Sequence, residues 1–120
     1  MSDKPHVKLD AWKFAMDLVE EVYRVTSTFP AQEQYGLVSQ MRRAAVSIPS
    51  NVAEGAGRDG GREFARFLSI ARGSLSELDT QYQIALRLGY VQPDGHQLKQ
   101  LVERTSKLLF GLHRKMKASE

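Results

Sequence analysis

Three histidines, at positions 6, 96 and 113, are the chain's whole supply of imidazole, and cysteine is absent. Disulfides, thiolate metal sites and cysteine nucleophiles are thereby excluded. The histidines sit near the two ends and at a predicted helix start with no ligand spacing between them, and the Glu-x-x-His pairs of a di-iron bundle do not occur. No metal or cofactor is expected. Ser47, Ser50, Ser69, Ser74 and Ser76 have no histidine or lysine at nucleophile-and-base spacing, so the chain reads as a non-enzyme. Gly55, Gly57, Gly60 and Gly61 have the composition of a phosphate loop, but they follow a helix and no Gly-Lys-Ser/Thr comes after them. They read as an interhelical turn.

Charge is more informative. Residues 1–41 and 73–98 each carry a net charge of −2, whereas residues 42–72 carry +3 and residues 99–120 carry +4. Arg58, Arg62 and Arg66 are spaced by four and fall along one stripe of a helix; Arg42 and Arg43 add guanidinium groups upstream. Lys99, Arg104, Lys107, Arg114, Lys115 and Lys117 make the last helix basic. Two readings of these stripes stand side by side. Either they bind a polyanion such as RNA or DNA, with Arg58, Arg62, Arg66, Lys107, Arg114 and Lys115 as the carriers, or they form solvated faces consumed by ion pairs. Phe64 and Phe67 interleave with the arginines in the manner of a stacking platform, yet they also fall in a helix seam, where a phenylalanine belongs to the core.

The elements that must position these residues are helical. Trp12, Met16, Val19, Val22, Tyr23 and Val25 give one apolar side to a first helix from Ala11 to about Thr28, with Asp10 as its cap. Phe29-Pro30 ends it. A second helix reads from Gln32 to about Ala56 through Tyr35, Val38, Met41, Ala45, Ile48 and Val52, with a kink expected at Pro49. The third, from about Arg62 to Leu88, has the strongest period: Phe64, Phe67, Ala71, Leu75, Leu78, Tyr82 and Ala85 step by three or four. Gly89 closes it, and Asp94 with Gln97 predicts a capping box for a fourth helix reaching about Lys117. That helix has two apolar rows, Leu98, Leu101, Leu108 and Leu112, and Val102, Leu109 and Met116. Two rows call for two neighbours, which predicts a homo-oligomer.

No segment alternates with period two, so the fold class is all-α: an antiparallel up-and-down four-helix bundle in a single domain spanning residues 1–120, its core at about 9–117 and its tails flexible. At 42% hydrophobic and 26% charged residues, the composition is that of a globular protein. The longest uncharged run, residues 44–53, has ten residues, half of what a membrane span needs, and no apolar stretch marks an export signal. A cytoplasmic location and no membrane partner are expected.

The run Gln40-Met41-Arg42-Arg43-Ala44-Ala45-Val46-Ser47-Ile48-Pro49-Ser50-Asn51-Val52-Ala53-Glu54-Gly55, with Gly57-Arg58 after it, is more specific than any periodicity. It resembles the four-helix-bundle family of proteins encoded in intervening sequences of bacterial 23S ribosomal RNA genes, formerly labelled S23 ribosomal proteins. Trp12, Phe29-Pro30, Tyr35-Gly36-Leu37, residues 63–78 and Leu88-Gly89-Tyr90 extend the resemblance over about residues 9–112. It implies a ring of bundles, most simply a homopentamer, and a similarity to the nucleic-acid-binding accessory proteins of diversity-generating retroelements. A ribosomal-subunit role is not implied. Within the motif, Arg42, Arg43, Ser47, Pro49, Asn51, Glu54 and Gly55 read either as a kink-and-cap device or as ligand-facing residues; Glu54 can pair with Arg42, Arg43 or Arg58. Two functions follow: a sequence-nonspecific RNA- or DNA-binding accessory protein, or a scaffold that binds protein partners.

Overall fold

In the computed structural model, which describes residues 4–119, four helices carry the apolar stripes: α1 Asp10–Thr26, α2 Leu37–Ala56, α3 Gly60–Arg87 and α4 Leu98–Ala118. Short 3-10 turns at Pro5–Lys8 and Ala31–Glu33 precede α1 and α2, and no strand occurs among the described residues. Packing runs in the order α1–α2–α3–α4 and back to α1, without close approach across either diagonal. This is the antiparallel four-helix bundle that the periodicity predicts. Leu18, Met41, Ile48, Leu68, Leu78, Leu98 and Leu109 fill its centre.

Three details differ from expectation. In α1 the buried row is Ala11, Ala15, Leu18, Val22 and Val25, whereas Met16 and Tyr23 are 41% and 42% exposed. The alanines let neighbouring helices approach closely, and a pattern judged by side-chain size overlooks them. Next, α2 begins at Leu37 instead of Gln32, which leaves Tyr35 outside the helix and 96% exposed. At Gly36 the backbone (φ −114°, ψ −111°) leaves the helical region, and the Glu33 carboxylate accepts the free Leu37 N–H at 3.1 Å. Finally, α4 begins at Leu98 and the Asp94 capping box does not form. Instead Gln97 N–H donates to Glu21 of α1 at 2.7 Å and Leu98 N–H to His96 Nδ1 at 3.2 Å. A carboxylate from another helix thus meets the positive end of the α4 dipole.

Both apolar rows of α4 find their neighbours inside the same chain. Leu98, Val102 and Leu109 are buried, and Leu101, Leu108, Leu112 and Met116 are half-buried against the core, so the two rows do not argue for a further subunit. The end of α3 behaves as predicted. Gly89, at φ +76°, permits Tyr90 N–H to reach Ala85 C=O at 3.0 Å and Gly89 N–H to reach Leu86 C=O at 3.1 Å, a Schellman closure. The helix α2 runs on through buried Pro49 without interruption. Beside it Ser50 donates to Val46 C=O at 2.7 Å and Asn51 to Ser47 C=O at 2.8 Å, so short polar side chains bond the two carbonyls that follow Ala45, the one whose i+4 donor the proline removes.

Two glycines sort the bundle's tight places from its loose ones. A Cβ on Gly55 would lie 2.8 Å from Phe67 Cβ and 2.9 Å from Phe64 Cδ1, and a Cβ of Phe67 cannot swing aside. Gly73, in mid-helix on the outside of α3, would meet nothing within 4 Å. Urea unfolding should therefore show Gly55→Ala destabilised by about 1–3 kcal/mol through overpacking. Gly73→Ala should be stabilised by about 0.5–1 kcal/mol because alanine loses less entropy in a helix.

Two loop-tying carboxylates set the acid limit. Glu33, which also accepts from Tyr90 OH at 2.9 Å, is held below the ordinary glutamate range by its Leu37 N–H and Tyr90 bonds. Glu21 is lowered first by its hydrogen bond from Arg24, against partial burial, with Gln97 N–H adding to it. Groups depressed in the folded state contribute stability above the unfolded glutamate value of about 4.3 and lose it as pH falls through their lower folded values. The urea midpoint should drop between pH 5 and 3, a range of about two units set by those values, and Glu33→Gln should flatten that drop.

Candidate nucleic-acid interface

Antiparallel packing gathers the start of α1, the end of α2, the start of α3 and the end of α4 at one end of the bundle. A Cβ on Gly61 would run into the Met116 carbonyl and the Ser119 hydroxyl, and residues 9–11 face Leu108, Leu112 and Lys115 across a groove. Lys8, Lys13, Arg58, Arg62, Arg66, Arg114, Lys115 and Lys117 occupy these terminal turns against Asp10, Glu54, Asp59 and Glu63. Asp17, Glu20, Glu21, Glu33 and Asp94 lie toward the other end, where Asp17, Glu20 and Glu21 line one cleft with His96. Arg24, Arg42, Arg43, Arg87 and Lys99 lie toward that end too, so its charges nearly balance while the first end is net basic.

Within the basic end the six residues singled out from sequence divide. Arg58 pairs with Glu54 at 2.8 Å and Arg66 with Glu63 at 3.3 Å, and their guanidiniums flank the Phe67 ring at 5.0 and 4.6 Å. Phe67 is buried and Phe64 half-buried, so both belong to the seam and offer no stacking platform. Arg62, Lys107, Arg114 and Lys115 are exposed and have no acidic partner among the described residues. Lys107 and Lys115 rim the α1–α4 groove, whose floor includes Leu108 and Leu112. His113, in contact with Arg72 at 3.3 Å, is pushed down by burial first and then by Arg72 and Lys117, so it adds little charge at neutral pH.

The sequence motif is mostly structural. Arg42 donates from Nε to Thr26 Oγ1 at 3.0 Å and from Nη2 to Tyr23 C=O at 3.3 Å, and its guanidinium lies 4.4 Å from the Tyr23 ring centre. It clamps the end of α1 to α2. Ser47 and Ser74 share a 2.8 Å hydrogen bond between α2 and α3, reinforced by Asn51 Nδ2 at 3.0 Å from Ser47 Oγ. Glu54 takes Arg58, one of its three candidate partners, and Gly55 admits the phenylalanines. Arg43 alone among the motif's charged residues is exposed and unpaired among the described residues.

A feature that sequence reasoning missed surrounds Arg43. Tyr23, Tyr35, Val38, Arg42, Arg43 and Val46 line a cleft of about 580 Å³ on one side of α2. A second cleft of about 470 Å³ on the α3 side shares Tyr35, Ser39, Arg43 and Ser47 and adds Glu77 and Gln81. Gln81 is buried and its Oε1 has no partner among the described residues. Placing Tyr35 in the helical stripe hid the first cleft; the row Phe67, Ser74, Gln81 on α3 was the available signal for the second.

A family model described as 23S rRNA-intervening sequence protein matches residues 7–111. No curated protein matches the chain. Among solved structures, a protein of unknown function from the S23 ribosomal protein family of Bacteroides thetaiotaomicron is similar in fold. It is 14% identical, with a TM-score of 0.63 over 90% of this chain and 95% of that one.

Arg42 and Arg43 are neighbours with opposite roles, and a charge-conserving change separates them. Arg42→Lys removes a planar, multiply bonded clamp and should cost about 1 kcal/mol in chemical denaturation. Arg43→Lys should stay within about 0.5 kcal/mol of the parent.

Proposed function

The chain belongs to the family of 23S rRNA-intervening sequence proteins, and on that footing we propose that it is a non-enzymatic, cytoplasmic accessory protein that binds RNA or DNA with little sequence preference. One observation carries this reading: the net-basic end, where Arg62, Arg114 and Lys115 are exposed and have no acidic partner among the described residues. A surface of that kind recruits phosphate by releasing condensed counterions. Arg58 and Arg66 are reserves, because exposed ion pairs such as theirs with Glu54 and Glu63 are worth little and exchange readily for phosphate.

The non-enzymatic part rests on where the candidate bases point. His6 packs edge-on against Trp12, His96 Nε2 lies 2.7 Å from Gln92 C=O, and His113 meets Arg72. The Ser47 and Ser74 hydroxyls are bonded to each other. Among the described residues no serine or threonine hydroxyl is hydrogen-bonded to a histidine; the hydroxyl that lies near one is that of Tyr82, 3.4 Å from His96 Nε2.

Self-association into the ring of five that the resemblance implies is part of the proposal. Its support is the family resemblance; Met16, Val46, Ile70 and Phe110, one on each helix and between 41% and 49% exposed, are apolar surface that such an assembly would cover. A ring would repeat the basic end around its axis, so weak contacts by one chain would add along a strand. The same exposed side chains favour the rival reading, a protein-binding scaffold with no nucleic-acid role.

Polarisation titrations with single-stranded and duplex RNA and DNA across salt should give affinities falling with a slope of roughly 0.7–0.9 per phosphate neutralised. Arg62→Gln, Arg114→Gln and Lys115→Gln combined should reduce the slope by about two or more. Arg58→Gln with Arg66→Gln should reduce it less. Absence of binding at low salt, or binding indifferent to the triple change in a folded protein, would leave the scaffold ahead. Sedimentation as a 13.5 kDa monomer would refute the ring.

A further inference from the structure

We propose that the clefts beside the first half of α2 take an unstacked base of a single-stranded nucleic acid, its ring against Tyr35 and its neighbouring phosphate on Arg43. The inference rests on the nucleic-acid reading above and adds a contact to bases at a place remote from the basic end.

Tyr35 is the starting observation. At 96% exposure it is the most exposed of the chain's large apolar side chains, held at the cleft mouth just before Gly36. A free aromatic face is what a base needs, because every base has a π-surface and stacking tolerates any sequence. Behind it, Val38 and Val46 give the cleft of about 580 Å³ apolar walls, a size and lining suited to a planar heterocycle. Arg42 contributes a second flat surface. Its guanidinium is locked over Tyr23 by the Thr26 and Tyr23 bonds, so little freedom is lost when something stacks on it.

Charge sets the orientation. Arg43 stands at both clefts, exposed and without an acidic partner among the described residues, and is the natural phosphate contact. Glu77 lines the α3-side cleft, which makes that cleft hostile to a phosphate and receptive to an amino group. Gln81 in the same cleft is only 6% exposed, and its carboxamide oxygen has no hydrogen-bond partner among the described residues. The strand therefore lies with its phosphate outward on Arg43 and its base inward.

The test compares three probes by fluorescence polarisation at fixed salt: a labelled strand of twelve deoxyadenylates, an abasic strand with the same number of phosphates, and the corresponding duplex. The parent protein should prefer the adenine strand over the abasic one roughly tenfold, the scale of one stacked base. Tyr35→Ala should abolish that preference while leaving the salt slope unchanged, and its exposed position protects the fold, which a thermal melt would verify. Arg43→Gln should weaken both strands and lower the slope by about one. Equal affinity for the adenine and abasic strands, or a preference that survives Tyr35→Ala, overturns the base site and leaves the phosphate-binding reading standing. Failure of all three probes at low salt overturns both. Saturation of the clefts by a second copy of the chain would appear as Tyr35→Ala and Arg43→Gln changing the sedimentation coefficient instead of the preference, and that result also overturns the inference.

Discussion

The close approach of α2 to α3 is the constraint on which the rest of the molecule depends. Gly55 meets Phe64 and Phe67 with no room for a methyl group, and about two turns away Ser47 and Ser74 touch through their hydroxyls. Those contacts fix the register of the two helices, and through it everything on their surfaces. They bring Arg58 and Arg66 within about 5 Å of one phenyl ring, and they bring Gln81 of α3 and Ala44 of α2 into the lining of one cleft. With no disulfide available, small residues at a helix crossing do the work of specifying alignment. A serine pair contributes direction as well, since a hydroxyl bond tolerates sliding less than an apolar contact does.

Much of this was legible in the sequence for a definite physical reason. An apolar stripe that must be buried is written into α3 by its own large side chains, Phe67 to Ala85, and into the second half of α2 by Met41, Ile48 and Val52. Stripes built from alanine are quieter, which is why α1 was read one position off, with Trp12 and Met16 in place of Ala11 and Ala15. Helix starts were harder still. Those of α2 and α4 are capped by Glu33, from the preceding turn, and by Glu21, from a different helix, and a cap supplied across space has no local signature. Of the candidate site, the cations were legible and their partners only in part. A carboxylate three or four residues away pairs with Arg58 and Arg66, as helical spacing allows, whereas the Arg42 clamp reaches sixteen residues back to Thr26.

The net-basic pole is topology acting on a sequence pattern. Blocks of alternating sign run along the chain, and each basic block covers either a turn between helices or a chain end. In an up-and-down bundle the α2–α3 turn and the end of α4 lie at the same pole, so alternation in sequence becomes one net-basic pole in space. The same folding of the chain puts α1's acidic end beside the start of α4, where Glu21 both accepts from Gln97 and faces the helix dipole. A polarised bundle of net charge +3 thus presents a more strongly basic surface at one pole than its total suggests.

Arg43 lies outside that pole, and its distance from it bears on how a strand would engage the protein. With Ser47 opposite Ser74, Arg43 stands near position 78 of α3, about twelve residues or roughly 18 Å from Arg66 along the bundle axis. At one phosphate per roughly 3.4 Å of strand, about five nucleotides cover that distance. Between the two lies Ile70, an exposed apolar side chain, with no exposed acid of α3 between Glu63 and Glu77. A strand following this line would meet cations at both ends, with Glu54 paired to Arg58 beside the path, so phosphate contact at the basic pole would raise the effective concentration of bases at Tyr35. On the proposed reading the two sites would be coupled by the length of the strand, with no motion of the protein required.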